Sequence, residues 1–122
     1  MPGHLAIAVI DDDDSFRVAL VESLASLGFE ASGYASARDF IAGNGQELCK
    51  LIVSDVHMPG MSGLDLIRHL TASGSKLPVI LITARSEPGL EARAVAAGAA
   101  CFLKKPFEIN DLIDCIERAA KG

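Results

Sequence analysis

Short, unbroken apolar runs separated by longer segments of helical spacing limit the fold of this chain more than any other feature. The clear runs are residues 5–10, 51–54 and 79–83, and weaker ones fall at 29–34 and 100–104. Polar residues do not alternate within the clear runs, as expected of strands covered on both faces. Between the runs, Phe16, Leu20, Leu24 and Leu27 form a helical stripe ended by Gly28, and Ile109, Leu112, Ile113 and Ile116 form another. Ser62 with Asp65 three residues on, just ahead of Leu66, Ile67 and Leu70, predicts a capping box. The alanine-rich stretch 87–97 predicts a further helix. The order is strand–helix, five times. Right-handed crossovers turn that order into an α/β fold: a doubly wound parallel sheet of five strands with helices on both faces.

A length of 122 residues fits one domain over 1–122, and 50% hydrophobic residues suffice for a core. The net charge of -5 argues against direct nucleic-acid binding, which starts from a basic patch. No apolar run approaches the ~18 residues of a membrane span, and residues 1–10 lack the charged start and cleavage site of a signal peptide. A cytoplasmic protein is expected. Cys49, Cys101 and Cys115 are odd in number, widely spaced and form no C-x-x-C pair. That pattern speaks against a disulfide framework or a zinc site, so each is expected to be a small buried hydrophobe. His4 and His69 are expected at the surface.

Three runs end in functional side chains. The first leads into Asp11-Asp12-Asp13-Asp14, the third into Ser54-Asp55 and the fourth ends in Thr83. In an open parallel sheet the carboxyl ends of the strands form the ligand-binding rim, so these residues should converge. Asp13 and Asp14, just before the Phe16 stripe, read as a helix cap. Asp11, Asp12 and Asp55 sit directly on strand ends, and three crowded carboxylates repel unless a cation lies among them. A hard divalent ion meets that need; magnesium takes a few carboxylates, waters and a phosphate oxygen. Lys105, at the end of the fifth run, adds a positive charge, and Pro106 after it makes a cis bond plausible.

The segments Val9-Ile10-Asp11-Asp12-Asp13-Asp14, Val53-Ser54-Asp55-Val56-His57-Met58-Pro59-Gly60-Met61-Ser62-Gly63, Ile80-Leu81-Ile82-Thr83-Ala84 and Gly98-Ala99 through Lys105-Pro106-Phe107, in this order and spacing, resemble the receiver domain of bacterial two-component response regulators. Ser54 before Asp55, Met58-Pro59 after it and the Lys105-Pro106-Phe107 ending are most similar to FixJ-like receivers, which are usually joined to a helix-turn-helix domain. The resemblance implies the flavodoxin/CheY-like strand order 2-1-3-4-5. It implies that Asp55 is phosphorylated by a histidine kinase or phosphotransfer protein. Asp11, Asp12, Asp55 and the backbone carbonyl of His57 would hold Mg2+, with Mn2+ as a substitute. Thr83 and Lys105 would contact the phosphoryl group, while Lys104 would point elsewhere. Phe102 would be the aromatic switch partner of Thr83. His57 and Arg85 would flank the phosphoryl group and tune its lifetime. The face around the fourth and fifth helices of the repeat would change, supporting a phosphorylation-dependent homodimer. Ala100 stands where the OmpR-like subgroup carries an acidic residue for its dimer, so a dimer here would rest on apolar contact.

The rival reading is a magnesium-dependent phosphohydrolase working through an aspartyl-phosphate. Its usual nucleophile is followed two residues later by a second Asp, where this chain has His57. A docking module that has lost phosphorylation is a third reading, opposed by the intact set Asp11, Asp12, Asp55, Thr83 and Lys105. A stand-alone receiver and one cut from a longer regulator both remain open.

Overall fold

The computed structural model describes residues 5–121; His4 lies outside them. The elements are β1 (Ala6–Ile10), α1 (Asp14–Ser26), β2 (Glu30–Tyr34), α2 (Ala37–Ala42), α3 (Gly45–Leu48), β3 (Leu51–Asp55), α4 (Gly63–Ala72), β4 (Val79–Thr83), α5 (Leu90–Ala97), β5 (Cys101–Lys104) and α6 (Ile109–Lys121). All strand pairs are parallel, in the order β2-β1-β3-β4-β5. The expected fold is the observed one, with one addition. The second strand–helix unit carries two short helices, separated by Gly43 and by Asn44 in the left-handed region at φ 56°.

The continuous apolar runs are explained by burial on both faces. Every residue of β3 and β4 is buried. Alternate residues point to opposite sides. Ile7, Val9, Leu51, Val53, Ile80 and Ile82 pack against Leu20 and Leu24 of α1 and Leu112, Cys115 and Ile116 of α6. Ala8, Ile10, Ile52 and Leu81 pack against Phe40 of α2, Leu66, Ile67 and Leu70 of α4, and Leu90 and Ala94 of α5. The edge strand β2, with sequence Glu-Ala-Ser-Gly-Tyr, is partly exposed, which is why its apolar signal was weak. Leu27, read as part of the first stripe, is 53% exposed, because it caps α1 and lies past its last buried turn.

Helix ends follow local chemistry. Asp13 caps α1 by accepting the Phe16 N–H at 3.1 Å. Ser62 and Asp65 form the capping box at α4: each side chain accepts the other's backbone N–H. These bonds also hold the Asp65 carboxyl below the usual carboxylate range. The helix expected over 87–97 begins only at Leu90, because Gly89 adopts φ 79° at its N-terminus; Glu87 therefore belongs to the preceding loop.

The cysteine expectation is corrected. Cys49 is a buried free thiol, as expected, but Cys101 and Cys115 are joined by a disulfide. Their separation of 14 residues concealed the fact that the buried side of α6 lies across β5. Arg118 sits beside this link, its Nη2 3.6 Å from each sulfur.

Gly63 opens α4 where a methyl group has no room. A Cβ there would lie 2.6 Å from the Asp55 carbonyl oxygen and 2.8 Å from Leu81 Cδ2. Gly63→Ala is expected to destabilise the fold by about 1–3 kcal/mol, the usual cost of overpacking, measured by urea unfolding.

Candidate functional site

β1, β3 and β5 deliver their carboxyl ends to one rim. Register places Ile10 beside Ser54 and Asp55 beside Ile82, so the residues that leave these strands meet in one cleft. Carboxylate oxygens of Asp11, Asp12 and Asp55 lie within 4.8 Å of one another. Asp11 is fully buried, Asp55 is nearly so, and Asp12 is exposed.

Several contacts offset the repulsion. Lys105 reaches in from the end of β5, with Nζ 2.9 Å from Asp11 Oδ2 and 3.8 Å from Asp55 Oδ2. The Lys105–Pro106 peptide is cis. The Lys105 ammonium also lies 4.0 Å from the centroid of the Phe16 ring, a cation–π contact. Phe16 in turn meets Phe107 edge-on, with ring centroids 6.2 Å apart. Asp11 Oδ1 accepts the Asp13 N–H at 2.9 Å, and the Asp11 carbonyl accepts from Arg17 at 2.7 Å. Asp55 has fewer donors: the His57 N–H at 3.4 Å is its hydrogen bond. Burial therefore pushes the Asp55 carboxyl above its ordinary range. The Asp11 charge pushes the same way, and Lys105 and the His57 N–H oppose it only in part.

Thr83, fully buried, ends β4 beside this cluster. Its Oγ1 accepts the Arg85 N–H at 3.0 Å and lies 3.2 Å from His57 Nδ1. Lys104, which pairs with Thr83 in register, turns away and donates to Ser86 Oγ. Phe102 is half-buried against the core under α5 and lines a cavity with Pro88 and Leu90. The Arg85 side chain is exposed and lines the cleft beside His57 and Asp12.

The structure thus brings Asp11, Asp12, Asp55, Thr83, His57 and Lys105 together, with Phe102 outside this set on β5, paired in register with Leu81. Sequence reading missed Glu87, whose Oε2 lies 3.1 Å from His57 Nε2, and Arg93, which donates to Glu87 Oε1 at 3.3 Å. The only signal for Glu87 was its place four residues after Thr83, and assigning it to a helix hid that signal. Phe16 was read as core alone, although its ring also faces Lys105. His69 is exposed on α4, as expected.

The carboxylate set suits a hard divalent cation: oxygen donors only, two of them buried, with an open side at Asp12. A family profile for the response regulator receiver domain matches residues 7–117. The chain belongs to the response regulator receiver family. It is therefore the receiver of a response regulator in two-component signalling. This receiver is 39% identical over 122 residues to the transcriptional regulatory protein FixJ of Azorhizobium caulinodans, covering 100% of this chain and 57% of that protein. It is 36% identical over 114 residues to the C4-dicarboxylate transport transcriptional regulatory protein DctD of Rhizobium meliloti, covering 93% of this chain and 25% of that one. The crystal structure of FixJ-N matches with a TM-score of 0.87 at 33% identity, over 96% of this receiver and 94% of that chain. This receiver spans between a quarter and somewhat over half of the two curated relatives. Among the described residues no helix is long and apolar enough to cross a membrane.

The direction of the Asp55 shift sets a pH dependence. Its folded carboxyl holds a proton more tightly than the ordinary 3.8 of the unfolded chain. The folded state therefore binds more protons in the window above 3.8, and Asp55 costs stability as pH rises through it. With a chelator present, Asp55→Asn is expected to be more stable than wild type at neutral pH. Urea unfolding across pH should show that gain shrinking as the pH falls to the ordinary carboxylate range.

Proposed function

We propose that Asp55 is a phosphoryl acceptor, and that this receiver is switched by the charge placed there. The carrying observation is the Asp11–Asp12–Asp55 cluster, bridged by Lys105 through contacts to both Asp11 and Asp55. The donor is a phosphohistidine on a histidine kinase or a phosphotransfer protein. An Asp55 oxygen attacks the phosphorus, the P–N bond breaks, and its electron pair returns to the imidazole of the donor; an acyl phosphate forms on Asp55. Such a reaction is governed by positioning and charge neutralisation. Asp11, Asp12, Asp55 and the backbone carbonyl of His57 are the residues that would hold Mg2+. Bound there, the ion would neutralise charge on the carboxylates and on the incoming oxygens.

Lys105 is already in place for the same task. Its contact to Asp55 is the longer of its two, so it can shift toward new anionic oxygens while staying on the rim. Thr83 would then donate its hydroxyl to a phosphoryl oxygen. Movement of Thr83 would open space toward Phe102, which stands on β5 and lines a cavity with Pro88 and Gly89 of the loop before α5. The face formed by α5, β5 and α6 would carry the output as contact with a partner, an attached domain or a second copy. Val95, 64% exposed on α5, gives that face an apolar point of contact.

The side chain at position 57 also bears on the rival phosphohydrolase. It is an imidazole tied to Thr83 and Glu87. It does not supply a second acid beside Asp55.

Incubation with acetyl phosphate and magnesium is expected to add one phosphoryl group to the wild-type chain and none to Asp55→Asn, read by intact mass. If Asp55→Asn gained a group of the same base lability, the assignment would be wrong. Asp12→Ala should keep its fold but bind magnesium at least about 10–100-fold more weakly, the range set by loss of even indirect ligand partners, as followed by titration calorimetry. Sedimentation with and without beryllofluoride tests the output face: a dimer should form with the mimic and weaken on Val95→Asp.

A further inference from the structure

A polar chain leads away from the carboxylate cluster: Thr83, His57, Glu87 and Arg93. Its polarity follows from what each group can donate. The Glu87 carboxylate can only accept, and it does so from Arg93 through Oε1. The contact of 3.1 Å between Glu87 Oε2 and His57 Nε2 therefore needs the imidazole proton on Nε2. In a neutral ring, Nδ1 is then a bare acceptor. Nδ1 faces Thr83 Oγ1 at 3.2 Å, so the hydroxyl is the donor in that contact. Oγ1 meanwhile accepts the Arg85 N–H at 3.0 Å. The other acceptor within reach, the Arg85 carbonyl, is farther away at 3.4 Å.

A hydroxyl has one hydrogen to give. In this arrangement Thr83 gives it to His57, and Glu87 fixes the tautomer that receives it. We infer that Glu87, acting through His57, is a positioning residue that latches the Thr83 hydroxyl in the resting state. The inference rests on the reading above, in which the phosphoryl group on Asp55 needs that same hydrogen. Phosphoryl oxygens and His57 Nδ1 then compete for one donor, and the phosphorylated state requires the latch to open. Opening reaches beyond the site. Glu87 lies in the loop before α5, and its second oxygen is held by Arg93 on α5 itself. Release of Thr83 thus loosens a tie to α5 that is separate from the Phe102 path.

The test is a double-mutant cycle on the intact chain. Beryllofluoride is titrated with magnesium present against wild type, Glu87→Ala, Thr83→Ala and the double variant. Glu87→Ala is expected to bind about two- to tenfold more tightly than wild type, the effect of freeing one hydrogen bond. In the Thr83→Ala background the Glu87 change should have no effect, because no hydroxyl remains to release. Nitrogen-15 shifts of the His57 ring supply a readout independent of binding: a single tautomer protonated at Nε2 in wild type, retained in Glu87→Gln and lost in Glu87→Ala. Equal affinity of wild type and Glu87→Ala, or the same gain in both backgrounds, would overturn the latch. Failure of wild type to bind beryllofluoride at all would instead overturn the phosphoryl reading beneath it, and the ring tautomer would still decide whether Glu87 orients His57.

Discussion

Three carboxylates within 4.8 Å of one another repel, and much of the molecule serves to hold them there. Two of them lie at or beyond the ends of β1 and β3, strands whose buried side chains pack against helices on both faces. The backbone cannot yield without breaking that packing, since close-packed interiors relax little. Lys105 supplies compensation from 94 residues away in sequence, and the aromatic pair Phe16 and Phe107 supports it from below. The site is thus tense by construction. Unfavourable charge among the three carboxylates is what a bound cation would relieve, and what the phosphorylation proposed for Asp55 would change.

The fold was legible because its signals are redundant. Continuous apolar runs mean parallel strands; the capping box at Ser62 and Asp65 and the Asp13 cap mark helix starts without any tertiary information. The convergence of Asp11, Asp55, Thr83 and Lys105 was legible for a topological reason. In a doubly wound sheet the carboxyl ends of the strands share a rim, so a polar residue at each strand end has few other places to be.

What the sequence hid were contacts with no periodic signature. The pairing of Cys101 with Cys115 depends on how α6 lies across β5, which neither cysteine count nor spacing records. The contact of His57 with Glu87 depends on Gly89 ending the helical pattern early and leaving Glu87 in a loop free to fold back over the cleft. A helical reading of the stretch 87–97 puts Glu87 on a helix surface and erases the interaction. Long-range side-chain pairs of this kind are set by loop geometry, and loops are where function concentrates on a rigid scaffold.

The covalent tie between β5 and α6 also divides the face they form with α5 mechanically. Strand and helix on that side form one rigid member, fastened to the sheet by pairing with β4 and to each other by sulfur. α5 is mounted differently. It is entered through Gly89 at φ 79° and left through Gly98 at φ 102°, two pivots in the left-handed region that glycine occupies at little cost. Between them only Leu90 and Ala94 are buried, with Ala97 partly so, and the helix bears on the core through one leucine and two alanines. On the proposal that this face carries the output, it would work like a pair of pliers with one fixed jaw: a partner gripping it would register displacement of α5 against a stationary β5–α6 reference.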